Sequence, residues 1–247
     1  MFDNAISLPQ GKRGAIGTAV SHNTSLATPQ KSRYDPGSLY KELLMLTLVQ
    51  STRVTTAVLV VITLLATIIL LLSPIEQTLG NGIRIVYLHV ALIWVGMAGL
   101  LIAGLLGLII SAVPAATWLT WLRVTSWVAF GFFSVGAIIS LVAEIVNWGA
   151  IFWSEPRTAS ILQILAVAVI IQITGSWLNH ARLYGLLHAA LAGFMVWSTG
   201  RAELVLHPDN PIGTSSSTGI RFGFYGLFVL FAFAAIWLVM YLRQQQK

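Results

Sequence analysis

The feature that most constrains this chain is a set of long runs with almost no charge. Residues 55–73 contain no Asp, Glu, Lys or Arg, and Pro74 ends the run. A helix of about 20 predominantly apolar residues crosses the hydrocarbon core of a bilayer. In lipid, every backbone N–H and C=O must be paired, which leaves the helix as the structure for such a run. Five further segments follow the same pattern: residues 85–111, 126–146, 160–178, 183–197 and 220–242. Over the whole chain 57% of residues are hydrophobic and 9% are charged, against about 25% charged in soluble domains. So few charges cannot cover a water-facing surface. The expected fold is an all-α integral membrane protein, a bundle of six transmembrane helices, with no internal repeat.

Residues 1–50 differ in kind. Gly, Ser, Thr, Asn and Pro are mixed there with Lys12, Arg13, Lys31, Arg33 and Lys41, and there is no apolar run like that of a signal peptide. They read as a polar, flexible cytoplasmic tail, with residues 51–247 as the transmembrane domain. The net charge of +6 does not indicate nucleic acid, because the cations are scattered between apolar runs rather than gathered in a stripe. The chain has no cysteine, which excludes disulfides and thiolate metal sites. No G-x-x-x-x-G-K-[ST] motif is present, so ATP hydrolysis would fall to a partner.

Lys and Arg near the helix ends set the orientation. With the N-terminus inside, Lys41, Arg53, Arg123, Arg182, Arg243 and Lys247 lie inside, and Arg84, Arg157, Arg201 and Arg221 outside. Both termini are then cytoplasmic. The segments 74–84, 147–157 and 200–219 fall outside, and short turns near 117–123 and 179–182 fall inside.

Three features meet on the outer face. His89 opens the second helix, His207 sits between Leu206 and Pro208 in the third outer segment, and a tryptophan-rich stretch with Trp148, Phe152, Trp153, Glu155 and Arg157 lies between them. A histidine near a helix end is commonly a hydrogen-bonded structural residue, and aromatic residues at this depth form an interfacial belt. Two histidines flanking an aromatic shelf on one face point elsewhere. Imidazole is an axial ligand of haem iron, and without cysteine a closed zinc site is disfavoured. The pattern suits a planar macrocycle held from both faces, with His89 and His207 on the iron. Arg157, with Arg84 and Arg201 as further candidates, would meet the propionates or Glu155. Gly149 and Pro156 make the shelf partly irregular.

The segment Trp148-Gly-Ala-Ile-Phe-Trp-Ser-Glu-Pro-Arg157 resembles the tryptophan-rich WWD motif of the haem-handling proteins of cytochrome c biogenesis. The match R-I-x-Y-x-H-V at Arg84 to Val90, the six-helix layout and His207 resemble the CcmC (HelC) family. The resemblance spans roughly residues 55–242. Where that family carries a tryptophan pair and an aspartate, this chain has Ile151, Phe152 and Glu155. Its Glu155-Pro156-Arg157 run is similar to the D-P-K of CcsA proteins. The resemblance implies an extracytoplasmic haem-binding segment at a bacterial-type plasma membrane, and haem b held by the two histidines and the shelf. It also implies delivery to a CcmE-like haem chaperone, with CcmA/CcmB ABC-transporter subunits and a CcmD-like small membrane protein as partners. Such a chain is not itself an enzyme. The alternatives are a CcsA-like haem transporter or cytochrome c synthase component, and a transporter of another amphipathic solute. A membrane electron-transfer cytochrome would need histidine pairs at bilayer depth, where only His188 is found.

Glu144, near the outer end of the third helix, sits where the helix dipole is negative. It must pair, stay neutral or reach water, with Arg84 and Arg157 as the expected partners. His188, lacking a histidine partner, is expected to hydrogen-bond within the bundle, and Gln163 and Gln172 between helices.

Overall fold

The computed structural model describes residues 51–178, 180–202 and 215–246. The expected tail, residues 1–50, and His207 lie outside the described residues. Within them the chain forms six helices: α1 (Thr52–Leu72), α2 (Ile83–Ala112), α3 (Ala116–Trp148), α4 (Pro156–Trp177), α5 (Ala181–Arg201) and α6 (Thr218–Gln244). All except α5 are long and apolar enough to cross a membrane. The chain is a multi-pass, all-α membrane protein.

The helix ends follow local chemistry. Ser51, Glu155, His180 and Ser217 cap α1, α4, α5 and α6, each side chain accepting a backbone N–H of the first turn. This satisfies donors that the helix itself leaves unpaired. Pro156 opens α4 at a position where its missing N–H costs nothing. Gly149 closes α3 at φ +79°, a left-handed conformation that glycine adopts without a Cβ penalty.

The expected third span began at residue 126, with a turn over 117–123, but α3 begins at Ala116. The turn is instead Val113–Ala115, around Pro114. The extra turns are held by a fully buried Leu122 and by stacking of cations on aromatic rings. The Arg123 guanidinium carbon lies 5.8 Å from the Tyr184 ring centroid, and that of Arg243 lies 4.0 Å from Trp121.

α2 is the central helix. It packs along α3, α5 and α6, while α1 is peripheral and lies mainly against α6. Glycines allow the closest approaches. A Cβ on Gly136 would sit 2.8 Å from the Ile93 nitrogen, and one on Gly107 would strike the Gly185 carbonyl. In one half of the bundle α2 and α5 are therefore pinned backbone to backbone. Toward the other end α2 carries Met97, Trp94, Ile93 and His89, and its close backbone approach there is to α3, at Gly96 and Gly136, rather than to α5. Helices α2, α3, α4 and α5 each pack on the next in a ring, and among the described residues the backbones of α2 and α4 stay apart across it. The ring is pinned at the Gly107 end and open at the His89 end.

Candidate functional site

The open end of the ring holds a cavity of about 620 Å³. Its walls are apolar (Val90, Ile93, Trp94, Met97, Phe133, Ile161, Ile164), and its polar groups gather toward the loops. His89, Trp148 and Arg157, expected from sequence to share a site, all line it. They come from three different helices.

His89 is buried in the second turn of α2, and its Nδ1 lies 3.0 Å from the Ile85 carbonyl. A carbonyl only accepts, so that nitrogen carries a proton, and in the neutral ring the lone pair falls on Nε2, the ring edge farther from its own helix. Such a backbone tether on one imidazole nitrogen fixes tautomer and orientation for coordination by the other. Trp148 ends α3, and the stretch 149–155 is non-helical. The irregular shelf expected around Gly149 and Pro156 is therefore present, and it joins Trp148 on α3 to Arg157 on α4.

Of the other expected site residues, Arg84, Phe152, Trp153 and Glu155 are described and do not line the cavity. Trp153 is 63% exposed. Phe152 is half-buried and is held through its backbone. Glu155 is buried and accepts from the Thr158 N–H at 2.7 Å as the α4 cap. Arg84 donates through Nη2 to the carbonyls of Leu71 (2.9 Å) and Ser73 (3.4 Å), at the end of α1. There it neutralises the negative pole of that helix.

Glu144 pairs with neither expected arginine. Its carboxylate, buried to 3% exposure, accepts from the Phe152 N–H at 2.8 Å and from the Thr158 hydroxyl. One carboxylate thus ties together the end of α3, the shelf and the first turn of α4. The physical reason is position: the shelf folds back over α3 and brings unpaired donors to the carboxylate, while Arg84 is occupied on α1. Sequence reading marked Glu144 as needing a partner but could not see that the partner was a loop backbone.

A second feature escaped it altogether. Ser160 and Ser198 share a 2.8 Å hydrogen bond between α4 and α5, and Ser140, Thr158, Ser160 and Thr199 line the same cavity. The available signal was the placing of these hydroxyls one after another within apolar runs. Beside the cavity, Asn147 Nδ2 donates to the Ala143 and Gly82 carbonyls, joining α3 to the start of α2. In the loop before α2, Glu76 accepts the N–H groups of Leu79 and Thr78, each at 2.8 Å. The Leu79 N–H is the main reason that its carboxyl titrates below the ordinary value.

No family model matches the chain, and no curated protein sequence matches it either. The functional reading therefore rests on the site. Among the described residues no group of three or more His, Cys, Asp or Glu could hold a bare metal ion. The chemistry available is one oriented imidazole, a flat aromatic wall, a cation and an apolar chamber. Its volume lies within the roughly 300–1,000 Å³ of small-molecule and cofactor pockets.

Proposed function

We propose that this chain is a haem-handling membrane protein of the CcmC type. In this reading it holds haem b at the extracytoplasmic face of a bacterial-type plasma membrane and passes it to a CcmE-like chaperone. The observation that carries the reading is that His89, Trp148 and Arg157, drawn from three helices, line one chamber of cofactor size. The donor set fits the group. Haem would supply an iron that binds imidazole; His89 would hold it, Trp148 would offer a face to the macrocycle and Arg157 a counter-charge to a propionate.

His207 would be the second ligand. It follows Ala202, a residue that lines the cavity, by five positions in the sequence. Trp153 and Phe152, on the shelf outside the chamber, would then belong to the surface that meets the chaperone.

The same reading takes α5 as a sixth span. Its 21 residues extend about 31 Å, enough for the hydrocarbon core. Its polar residues Tyr184, His188 and Ser198 are buried in the bundle, while Arg182 and Arg201 stand at its two ends. The excess of Lys and Arg near the opposite helix ends supports an outward-facing cavity with both termini in the cytoplasm.

The absorption spectrum of the purified protein tests the proposal. A Soret band with bis-histidine features is expected, lost or made five-coordinate in His89→Gly and in His207→Gly, and partly restored by free imidazole. A protein without a haem spectrum, or a His89→Gly variant identical to the parent, would overturn it.

A further inference from the structure

The chamber is walled on one side by a residue that faces two environments. Trp94 lines the cavity, yet it is 50% exposed. Its indole stands edge-on to Phe224 and Phe228 of α6, with ring centroids 5.4 and 6.2 Å away.

Trp94 heads a stripe on α2. Ala98, Leu101, Leu105 and Leu108 follow it at intervals of four, three, four and three, which is one face of a helix, and all are exposed. Much of the opposite face of this central helix is buried, while Ile102 and Ile109 are exposed beside the stripe. The stripe is exposed because, among the described residues, α5 and α6, which flank it, do not pack closely against each other. In a membrane-spanning bundle an exposed apolar stripe faces acyl chains. Acyl chains along this stripe would run up α2, between α5 and α6, and end at the side wall of the chamber.

The chamber's own lining is consistent with that approach. Next to Trp94 it is apolar, with Val90 and Met97, and the charged groups Glu144 and Arg157 belong to α3 and α4. A molecule sliding in from the stripe would lead with an apolar body and keep its charged groups near the loops. This is the orientation of an amphiphile already dissolved in a leaflet.

We infer that the cavity has a side entrance at Trp94, between α5 and α6, through which an amphipathic ligand with an apolar body and anionic groups enters from the lipid. The identity of that ligand as haem rests on the function proposed above; the entrance rests on the geometry alone.

Two measurements on the full chain in phosphatidylcholine vesicles test it. The first needs no ligand. Lipids brominated in the upper acyl chain should quench the part of the tryptophan emission that is lost in Trp94→Phe. Absence of quenching of that component would overturn the entrance. The second follows transfer of haem dissolved in the vesicles. Ala98→Trp places a bulky group on the stripe one turn from Trp94 and outside the chamber. It should slow transfer at least tenfold while leaving haem occupancy in detergent unchanged, and Ile109→Trp, far along the same helix, should match the parent. Transfer into Ala98→Trp at the parental rate, or equal slowing by Ile109→Trp, would overturn the entrance. If the parent takes up no haem from vesicles or detergent while the Trp94 component is quenched, the haem reading fails and the entrance stands for a different amphiphile.

Discussion

Removing the Glu144 carboxylate should release the aromatic shelf while leaving the bundle folded. In Glu144→Leu the Phe152 N–H and the Thr158 hydroxyl lose their shared acceptor. A hydrogen bond to a charged group contributes about 1.5–3 kcal/mol, and a buried donor left unsatisfied costs about 1–3 kcal/mol. Loss of the buried charge offsets part of this, because desolvating a carboxylate is itself costly. A net loss of about 2 kcal/mol in the local opening of the shelf is the expected balance. Glu144→Gln behaves differently. Its carbonyl can still accept from Phe152 N–H, and its amide can donate to the Thr158 hydroxyl, which turns to accept. About 1 kcal/mol or less should be lost. Hydrogen exchange at the Phe152 amide reads the difference directly. Exchange should quicken about 30-fold in Glu144→Leu, and by about fivefold or less in Glu144→Gln, at 1.4 kcal/mol per decade. Amides in the α2–α3 interface should be unaffected. Unchanged exchange at Phe152 in Glu144→Leu, or equal effects of the two substitutions, would refute the account of Glu144 as a hydrogen-bond acceptor for the shelf.

Two other substitutions probe the frame. Gly107→Leu forces a side chain against the Gly185 carbonyl; thermal unfolding in detergent should show a loss of about 3 kcal/mol, at the upper end of overpacking costs, and an undiminished stability would mean that α2 and α5 are not pinned there. Arg84→Ala frees the carbonyls of Leu71 and Ser73 and should quicken exchange at the end of α1 by roughly tenfold, from about 1–2 kcal/mol of charge-assisted bonding at a half-exposed site. Haem occupancy should be retained, and its loss would return Arg84 to the site.

The helical frame was legible because lipid imposes a simple rule. Apolar runs of about bilayer length favour helices, and each of the six expected segments lies in an observed helix apart from the terminal Ser73 and Leu178. The errors lie where that rule stops applying. At the start of α3, residues 117–123 mix Thr and Arg with Trp and Leu, so the apolar run appears to end. The helix continues because Arg123 stacks on the Tyr184 ring of α5 and the Trp121 ring takes the Arg243 guanidinium of α6, contacts that involve residues far along the chain. The same limitation applies to α5. Its polar residues make it the least apolar helix by sequence, although burial of Tyr184 and His188 shows that those groups face other helices rather than lipid.

At the candidate site, residue types were legible but their tasks were not. His89, Trp148 and Arg157 do converge on one chamber, as a shared face of the membrane required. Arg84 and Glu155 looked equally suitable as charged neighbours of an aromatic shelf. The structure gives each to the backbone instead: Arg84 to the carbonyl end of α1, and Glu155 to the amide end of α4. Both assignments obey the same electrostatics, a cation at a helix C-terminus and an anion at an N-terminus. Either could have been proposed from sequence had the helix ends been known to a residue, which apolar runs do not provide. Glu144 makes the converse point. By its own helix it stands at the unfavourable end, and it becomes favourable only because the shelf returns the first turn of α4 to it. Whether a charged residue in such a chain serves the ligand or the frame therefore depends on which unpaired backbone groups lie within its reach. Here the frame takes Arg84, Glu144 and Glu155, and Arg157 remains on the wall of the chamber.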